Sequence, residues 1–329
     1  MTKLAAKSVL VTGGAGFIGS HLVDRILRDR PRALVVVDDL SLGKESNLDQ
    51  ARRVFPGLAF YRQDAADYDA MKRIISSHGV EVVFNLAVVP LPTSLVRPRY
   101  TVDVNVLTTS VLCDLIREGC YRTLIHFSSS ETYGTAQYVP MDENHPLVPC
   151  TPYAASKAAG DHVVVSYQKT FGIDAAIVRP FNNFGPRQNE GESAAIIPIV
   201  VQRALRGEPV VVFGDGQQTR DFLFVRETAD AAVRVYEEPG TRGRVINLAS
   251  GKETSVNRLV RAMLDVLGVE VPVVHEAPRP GDVRRHCGSI ELARKLIAFE
   301  PQVTLEAGLA ETLAWYRDYL AAREATHAG

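Results

Sequence analysis

The chain has 329 residues, of which 46% are apolar and 23% charged, a composition that can bury a substantial core and excludes a disordered or low-complexity polymer. Its 37 basic and 38 acidic residues leave a net charge of -1, which removes the electrostatic drive toward a nucleic-acid backbone or an anionic membrane surface. No run reaches the roughly 18 to 20 apolar residues that span a bilayer, and the apolar stretch before Gly13 is too short for a secretion signal.

Cys113, Cys120, Cys150 and Cys287 form no CxxC or Cys/His cluster, and the eight histidines show no metal-ligand spacing. Reduced thiols, a cytoplasmic location and no metal site are the expectation.

Short β-branched runs at Ser8–Thr12, Ala33–Asp38, Val80–Leu86, Thr123–Ser128 and Ile173–Arg179 alternate with helical patterns at Ile18–Arg28, Ala70–His78, Thr101–Glu118 and Tyr153–Thr170. Near-continuous Val, Ile and Leu content predicts strands covered on both faces, as in a doubly wound α/β parallel sheet. Beyond Arg179 the pattern loosens into Pro and Gly punctuation, with helices expected at Arg226–Tyr236, Val256–Leu267 and Leu305–Leu320 and a strand at Arg244–Leu248. The expected organisation is a dinucleotide-binding domain over residues 1–179, with returning segments at about 226–265, and a smaller lobe built from 180–225 and 266–329.

The first strand runs into Gly13-Gly14-Ala15-Gly16-Phe17-Ile18-Gly19 and then a helix. Glycine permits a tight turn at 13, close approach of a pyrophosphate at 16 and close helix packing at 19, while the helix N-terminus favours negative charge. Asp38 ends the next strand about 20 residues on, where a carboxylate binds adenosine ribose hydroxyls and repels a 2′-phosphate, so NAD is favoured over NADP. Downstream, Tyr153 and Lys157 share one helix face, so the ammonium is expected to lower the phenol's pKa toward a value useful for proton transfer. Ser128-Ser129-Ser130-Glu131 precedes them after a strand.

With these features the sequence resembles the extended short-chain dehydrogenase/reductases, specifically the NAD-dependent nucleotide-sugar epimerase/dehydratase family, from Val9 to about Tyr319. Further matches are Asp64, Asn85-Leu86-Ala87, Asn105, Arg179-Pro180-Phe181-Asn182, Gly185-Pro186-Arg187, Gly214-Asp215-Gly216, Thr219-Arg220-Asp221-Phe222 and Arg279-Pro280-Gly281-Asp282. The resemblance implies a Rossmann fold with a smaller C-terminal substrate-binding lobe, and a homodimer formed through the helices Thr101–Glu118 and Tyr153–Thr170. It also implies that Tyr153 is the catalytic base, that Lys157 holds the nicotinamide ribose and that Ser129 hydrogen-bonds the sugar's 4-hydroxyl. Asp64 and Ala65 should lie near the adenine and Leu86 and Ala87 beside the cofactor, with Phe17, Ile18, Ser128 and Pro180 completing the cofactor site and Asn105 supporting Lys157. On the substrate side the matched residues are Asn182, Arg187, Arg220, Arg279 and Asp282, since guanidinium forks fit phosphate oxygens and a carboxylate fits ribose hydroxyls.

The implied chemistry passes hydride from carbon 4 of a UDP-, dTDP- or GDP-linked sugar to NAD while Tyr153 takes the hydroxyl proton. The resulting ketone opens 4,6-dehydration, carbon 4 epimerisation or decarboxylation. Ser129-Ser130-Glu131 is similar to the triplet of GDP-mannose dehydratases and UDP-glucuronate decarboxylases, which places dehydration ahead. Pro186-Arg187-Gln188-Asn189 followed by Ile196-Ile197-Pro198 is also seen among carbon 4 epimerases, and one departure weighs against dehydration and a second against decarboxylation. Ser130 stands where dTDP-glucose dehydratases carry Asp, and His286 stands where decarboxylases place a carboxylate-binding arginine. A noncatalytic dinucleotide sensor on the same fold would have no need of the intact Tyr153, Lys157 and Ser129 set.

Overall fold

The computed structural model describes residues 3–191, 194–278 and 283–327. Among the described residues the strands are β1 (Ser8–Thr12), β2 (Ala33–Asp38), β3 (Ala59–Arg62), β4 (Val82–Asn85), β5 (Thr123–Phe127), β6 (Asp174–Pro180), β7 (Asn182–Phe184), β8 (Val210–Phe213), β9 (Thr219–Arg220), β10 (Phe222–Phe224), β11 (Val245–Leu248), β12 (Thr254–Ser255) and β13 (Val273–Glu276). Seven of them form a parallel sheet in the order β11-β6-β5-β4-β1-β2-β3. The order reverses between β1 and β4, which opens a crevice at their carboxyl ends, where open α/β sheets bind ligands.

The helices are α1 (Phe17–Leu27), α2 (Asp49–Val54), α3 (Tyr68–Ser77), α4 (Leu91–Val96), α5 (Pro98–Arg117), α6 (Pro152–Phe171), α7 (Ile196–Leu205), α8 (Val225–Glu237), α9 (Val256–Leu267), α10 (Glu291–Ile297) and α11 (Leu305–His327). Strand alternation divides the sheet residues between two apolar clusters: Val9, Val11, Val36, Phe84 and Ile125 lie in one, while Leu10, Val35, Val37, Val83 and Leu124 lie in the other. Helices α1, α8 and α10 cover the first face and α3, α5 and α6 the second, which explains why the strands read as unbroken apolar runs.

A third cluster, built on Phe184, Ile197, Val200, Phe224, Leu259, Met263, Leu309 and Tyr316, is the core of the smaller lobe. Here the expected boundaries change. Helix α9 contributes Leu259, Val260 and Met263 to this lobe rather than returning to the sheet domain, whereas Ala293 and Ile297 of α10 join the sheet's first face. No helix among the described residues is long and apolar enough to cross a membrane.

Candidate active site

The crevice is a cleft of about 360 Å³ that runs from the glycine-rich turn to α6. The turn is held by the Gly13 amide, which donates to the Val37 carbonyl at 2.8 Å. Gly13 has φ +66°, and a Cβ there would meet the Ala87 nitrogen at 2.8 Å. At Gly19 a Cβ would lie 2.1 Å from the Gly13 carbonyl oxygen, so helix α1 reaches the turn only because residue 19 has no side chain. Gly16 is the N-cap of helix α1, which has no side-chain cap and no acid in its first turn. Its amides and dipole at Phe17, Ile18 and Gly19 therefore remain available to an anion at the cleft wall.

Asp38 lines the same cleft, buried, and accepts from the Ala15 amide at 3.0 Å and the Leu40 amide at 2.9 Å. Burial pushes its carboxyl above the usual range despite those bonds. Asp64 and Ala65 line the far end, where the Asp64 carboxylate accepts from the Ala66 amide at 2.8 Å.

At the other end, the Thr12 hydroxyl donates to Asn85 at 2.8 Å and accepts from the amides of Leu86 and Ala87 at 3.1 and 3.2 Å. This fixes the segment after β4 against the cleft. Asn105 does not itself line the cleft, and acts on it through the backbone and through α6. Its amide side chain bonds both backbone groups of Val89, at 2.7 and 3.0 Å, and donates to the Ser156 hydroxyl at 2.9 Å. It ties the cleft wall to α6 because one side-chain amide can satisfy a peptide's donor and acceptor together.

Thr151 caps α6 by accepting from the Ala154 amide at 3.1 Å, and Pro152 occupies the first turn. These fix the start of the helix that carries Tyr153 and Lys157 into the cleft beside Ser128, Ser129 and Pro180. Ser129 hydrogen-bonds Tyr153, which pulls the phenol's pKa down, but burial outweighs it and Glu131 and Asp161 add like-signed charge, so the phenol is pushed up to about 12. The expectation that Lys157 would lower it is corrected. Lys157 is itself brought down to about 8 by burial, against the attraction of Asp161.

Asp161, one turn beyond Lys157, accepts from Ser128 at 2.7 Å and from the buried Arg179 at 2.6 Å. Sequence reasoning did not single out this carboxylate. The available signal was an acid at i+4 from Lys157 in a helix otherwise rich in alanine.

The Ser129 hydroxyl accepts from the Glu131 amide at 3.2 Å, closing a single 3₁₀ turn over Ser130–Tyr133. Ser130 is buried, and its carbonyl lies 3.2 Å from Nε2 of the buried His286. Burial and the nearby Arg220 bring His286 down to about 4, so the ring is neutral and gives no charge for holding a sugar carboxylate.

On the substrate side, Arg220 donates to the carbonyls of Thr219 and Val283 at 2.8 and 2.6 Å, and Asn182 opens β7 next to Phe181. Arg187 is a correction. Its guanidinium pairs with Asp24 on α1 at 2.8 Å, outside the main cleft, because a backbone at φ +66° turns the chain toward α1. Arg279 and Asp282 lie outside the described residues. Asn183 and Gln188 line the cleft and were not anticipated. Among the described residues no group of three His, Cys, Asp or Glu could hold a metal ion.

A family model described as GDP-mannose 4,6 dehydratase matches residues 10–312. The chain belongs to the nucleotide-sugar epimerase/dehydratase family of extended short-chain dehydrogenase/reductases. The UDP-glucose 4-epimerase of Mycolicibacterium smegmatis is 36% identical across 94% of this chain and 98% of its own. The dTDP-glucose 4,6-dehydratase of Streptomyces antibioticus is 33% identical across 94% and 92%. Among solved structures, the Thermotoga maritima UDP-glucose 4-epimerase with UDP-glucose superposes with a TM-score of 0.89 at 32% identity, covering 95% of this chain and 99% of that one. The Streptomyces venezuelae dTDP-glucose 4,6-dehydratase with NAD bound gives 0.88 at 31% identity, covering 94% and 97%.

Proposed function

We propose that this family member holds NAD in the cleft and oxidises a nucleotide-diphosphate sugar at carbon 4, the 4-keto intermediate then losing water across carbons 5 and 6. The cleft fits the cofactor: Asn183 Oδ1 and Gln188 Oε1 are buried acceptors without a partner on its wall, ready for a donor such as a ribose hydroxyl or a carboxamide. Gly13, Gly16 and the start of α1 would hold the pyrophosphate, Asp38 the adenosine ribose and Lys157 the nicotinamide ribose. When bound, NAD supplies the acceptor and later the donor of hydride, and in its oxidised form a positive charge that favours a phenolate.

The observation that carries the reading is the placement of Tyr153 and Ser129 at one end of that cleft, with Glu131 beside the phenol though not itself on the cleft lining. Ser129 hydrogen-bonds the phenol, and Glu131 is close enough to raise its pKa. Tyr153 as phenolate takes the proton of the 4-hydroxyl, with Ser129 orienting that oxygen. The ketone acidifies carbon 5, and the Glu131 carboxylate removes that proton. Since Ser130 provides no second acid, the same carboxyl then protonates the 6-hydroxyl as it leaves as water.

The buried, non-acidic Ser130 also favours a second reading, carbon 4 epimerisation, in which Glu131 takes no proton. Incubation with a panel of UDP-, dTDP- and GDP-linked sugars, read by mass spectrometry, separates them. Loss of one water is the expected result, and an isomer of unchanged mass would replace dehydration by epimerisation. Arg220, Arg279, Asp282 and Asn182 would hold the nucleotide diphosphate. The side chains of Tyr100 and Leu107, seven positions apart on α5 and 39% and 51% exposed, support a homodimer through α5 and α6. The four free cysteines support a reducing, cytoplasmic setting.

A further inference from the structure

Residues 186–190 cross from β7 to α11 and are fastened along their length. The Pro186 carbonyl lies 2.9 Å from His21 Nε2, Arg187 pairs with Asp24, and the Gln188 carbonyl accepts from the Tyr316 hydroxyl at 2.6 Å. Gln188 and Asn189 line the NAD cleft, and so do Leu42 and Gly43, which follow Asp38. The two segments are joined by one ion cluster. The Lys44 ammonium donates to Glu190 at 2.8 Å and to the Tyr319 hydroxyl at 2.8 Å, and Arg323 donates to the other Glu190 oxygen at 3.0 Å.

The Glu190 side chain is only 8% exposed, and both of its oxygens are paired with these cations. The Lys44 amide donates to the Ala15 carbonyl at 3.0 Å, which carries the cluster's position directly into the glycine-rich turn. Tyr319 is braced in turn by Trp315, whose ring stacks on it at 4.8 Å and 12°. None of these residues reaches Tyr153 or Ser129, so the proton-transfer chemistry gives them no role.

We propose that Lys44, Glu190 and Tyr319 form a clasp across the mouth of the cleft that retains the dinucleotide between the two hydride-transfer half-reactions, and that opening of this clasp sets the rate of cofactor release. The inference rests on the reading that NAD stays bound through turnover. Removing Lys44 takes one of its cations from the buried Glu190, and removing the Glu190 charge takes from Lys44 its carboxylate.

The test loads the holoenzyme with radiolabelled NAD, adds excess unlabelled NAD and follows loss of label. Glu190→Gln and Lys44→Met should release label about tenfold faster than wild type or more, the loss of a charge-assisted hydrogen bond. Lys44→Arg, which keeps the charge and the donor, should stay within about threefold. Release at the wild-type rate in both Glu190→Gln and Lys44→Met overturns the clasp. Should those variants fail to fold, wild-type release measured at about 20 mM and about 500 mM salt decides: Lys44 is 40% exposed and open to screening, so acceleration supports the clasp and an unchanged rate overturns it. A wild-type protein that holds no label at all refutes the NAD reading and the clasp with it, whereas label held equally by every variant refutes the clasp alone.

Discussion

Lys157 is an ammonium that the fold accommodates at a cost. Only 6% exposed, it is lowered by burial from the ordinary 10.5 to about 8, with Asp161 offsetting part of the effect. A drop of that size corresponds to roughly 3 kcal/mol by which the folded protein disfavours the charged form. Because the folded pKa lies below the unfolded one, the unfolded chain binds the extra proton between them, and stability rises with pH across that window. Methionine fills a similar volume without charge, and Asp161 keeps Arg179 at 2.6 Å and Ser128 at 2.7 Å. Cofactor-stripped Lys157→Met should therefore be more stable than wild type near pH 7 by up to about 3 kcal/mol, while losing turnover if Lys157 holds the nicotinamide ribose as proposed. Denaturant unfolding at a series of pH values reads the difference, which should shrink from about pH 8 upward and vanish near pH 10.5. A variant less stable than wild type at neutral pH, or a gap that does not change with pH, would refute this account of the buried charge.

Other substitutions probe the rest of the site. Asp38→Ala removes the acceptor for the Ala15 and Leu40 amides and should weaken NAD binding about tenfold or more by calorimetric titration; tighter binding of NADP than NAD by wild type would contradict the role of this carboxylate. Gly19→Ala drives a Cβ to 2.1 Å from the Gly13 carbonyl, a backbone clash no rotamer relieves. It should cost about 2 kcal/mol or more of stability and abolish NAD binding, and wild-type affinity in a fluorescence titration would show that the turn does not need that closeness. Arg187→Ala breaks the half-buried pair with Asp24 and should lower unfolding stability by about 1 kcal/mol or more without raising the KM for the nucleotide sugar. An increase in that KM with unchanged melting would return Arg187 to the substrate.

Local signals in the sequence carried the sheet, the glycine turn and the Tyr153–Lys157 helix, because unbroken β-branched runs, glycines in a strand-to-helix turn and an i,i+4 pair each express one physical constraint. Edge strand β3, Ala-Phe-Tyr-Arg, lacks such a run since it is only half-buried, and the sequence pattern did not place it. Helix α4 is a single short segment opened by a proline, with no periodicity to read. What depended on distant partners stayed hidden. Arg187 finds Asp24 across 163 positions, and Asp161 finds Arg179 through the sheet. The direction of the Tyr153 shift was misread for the same reason: the i,i+4 spacing shows that an ammonium is near, and only the packed structure shows the burial that raises the phenol, aided by Glu131 and Asp161.

The central claim is that Glu131 acts on a 4-keto sugar, and exchange at carbon 5 tests it most directly. With the accepted nucleotide sugar in deuterium oxide, wild type should place deuterium at carbon 5 and release a product lighter by one water. Glu131→Gln, which keeps the side chain's shape but removes the base, should still reduce its bound NAD, accumulate 4-keto sugar and leave carbon 5 unlabelled. Wild-type product without deuterium at carbon 5, or normal dehydration by Glu131→Gln, would contradict the account.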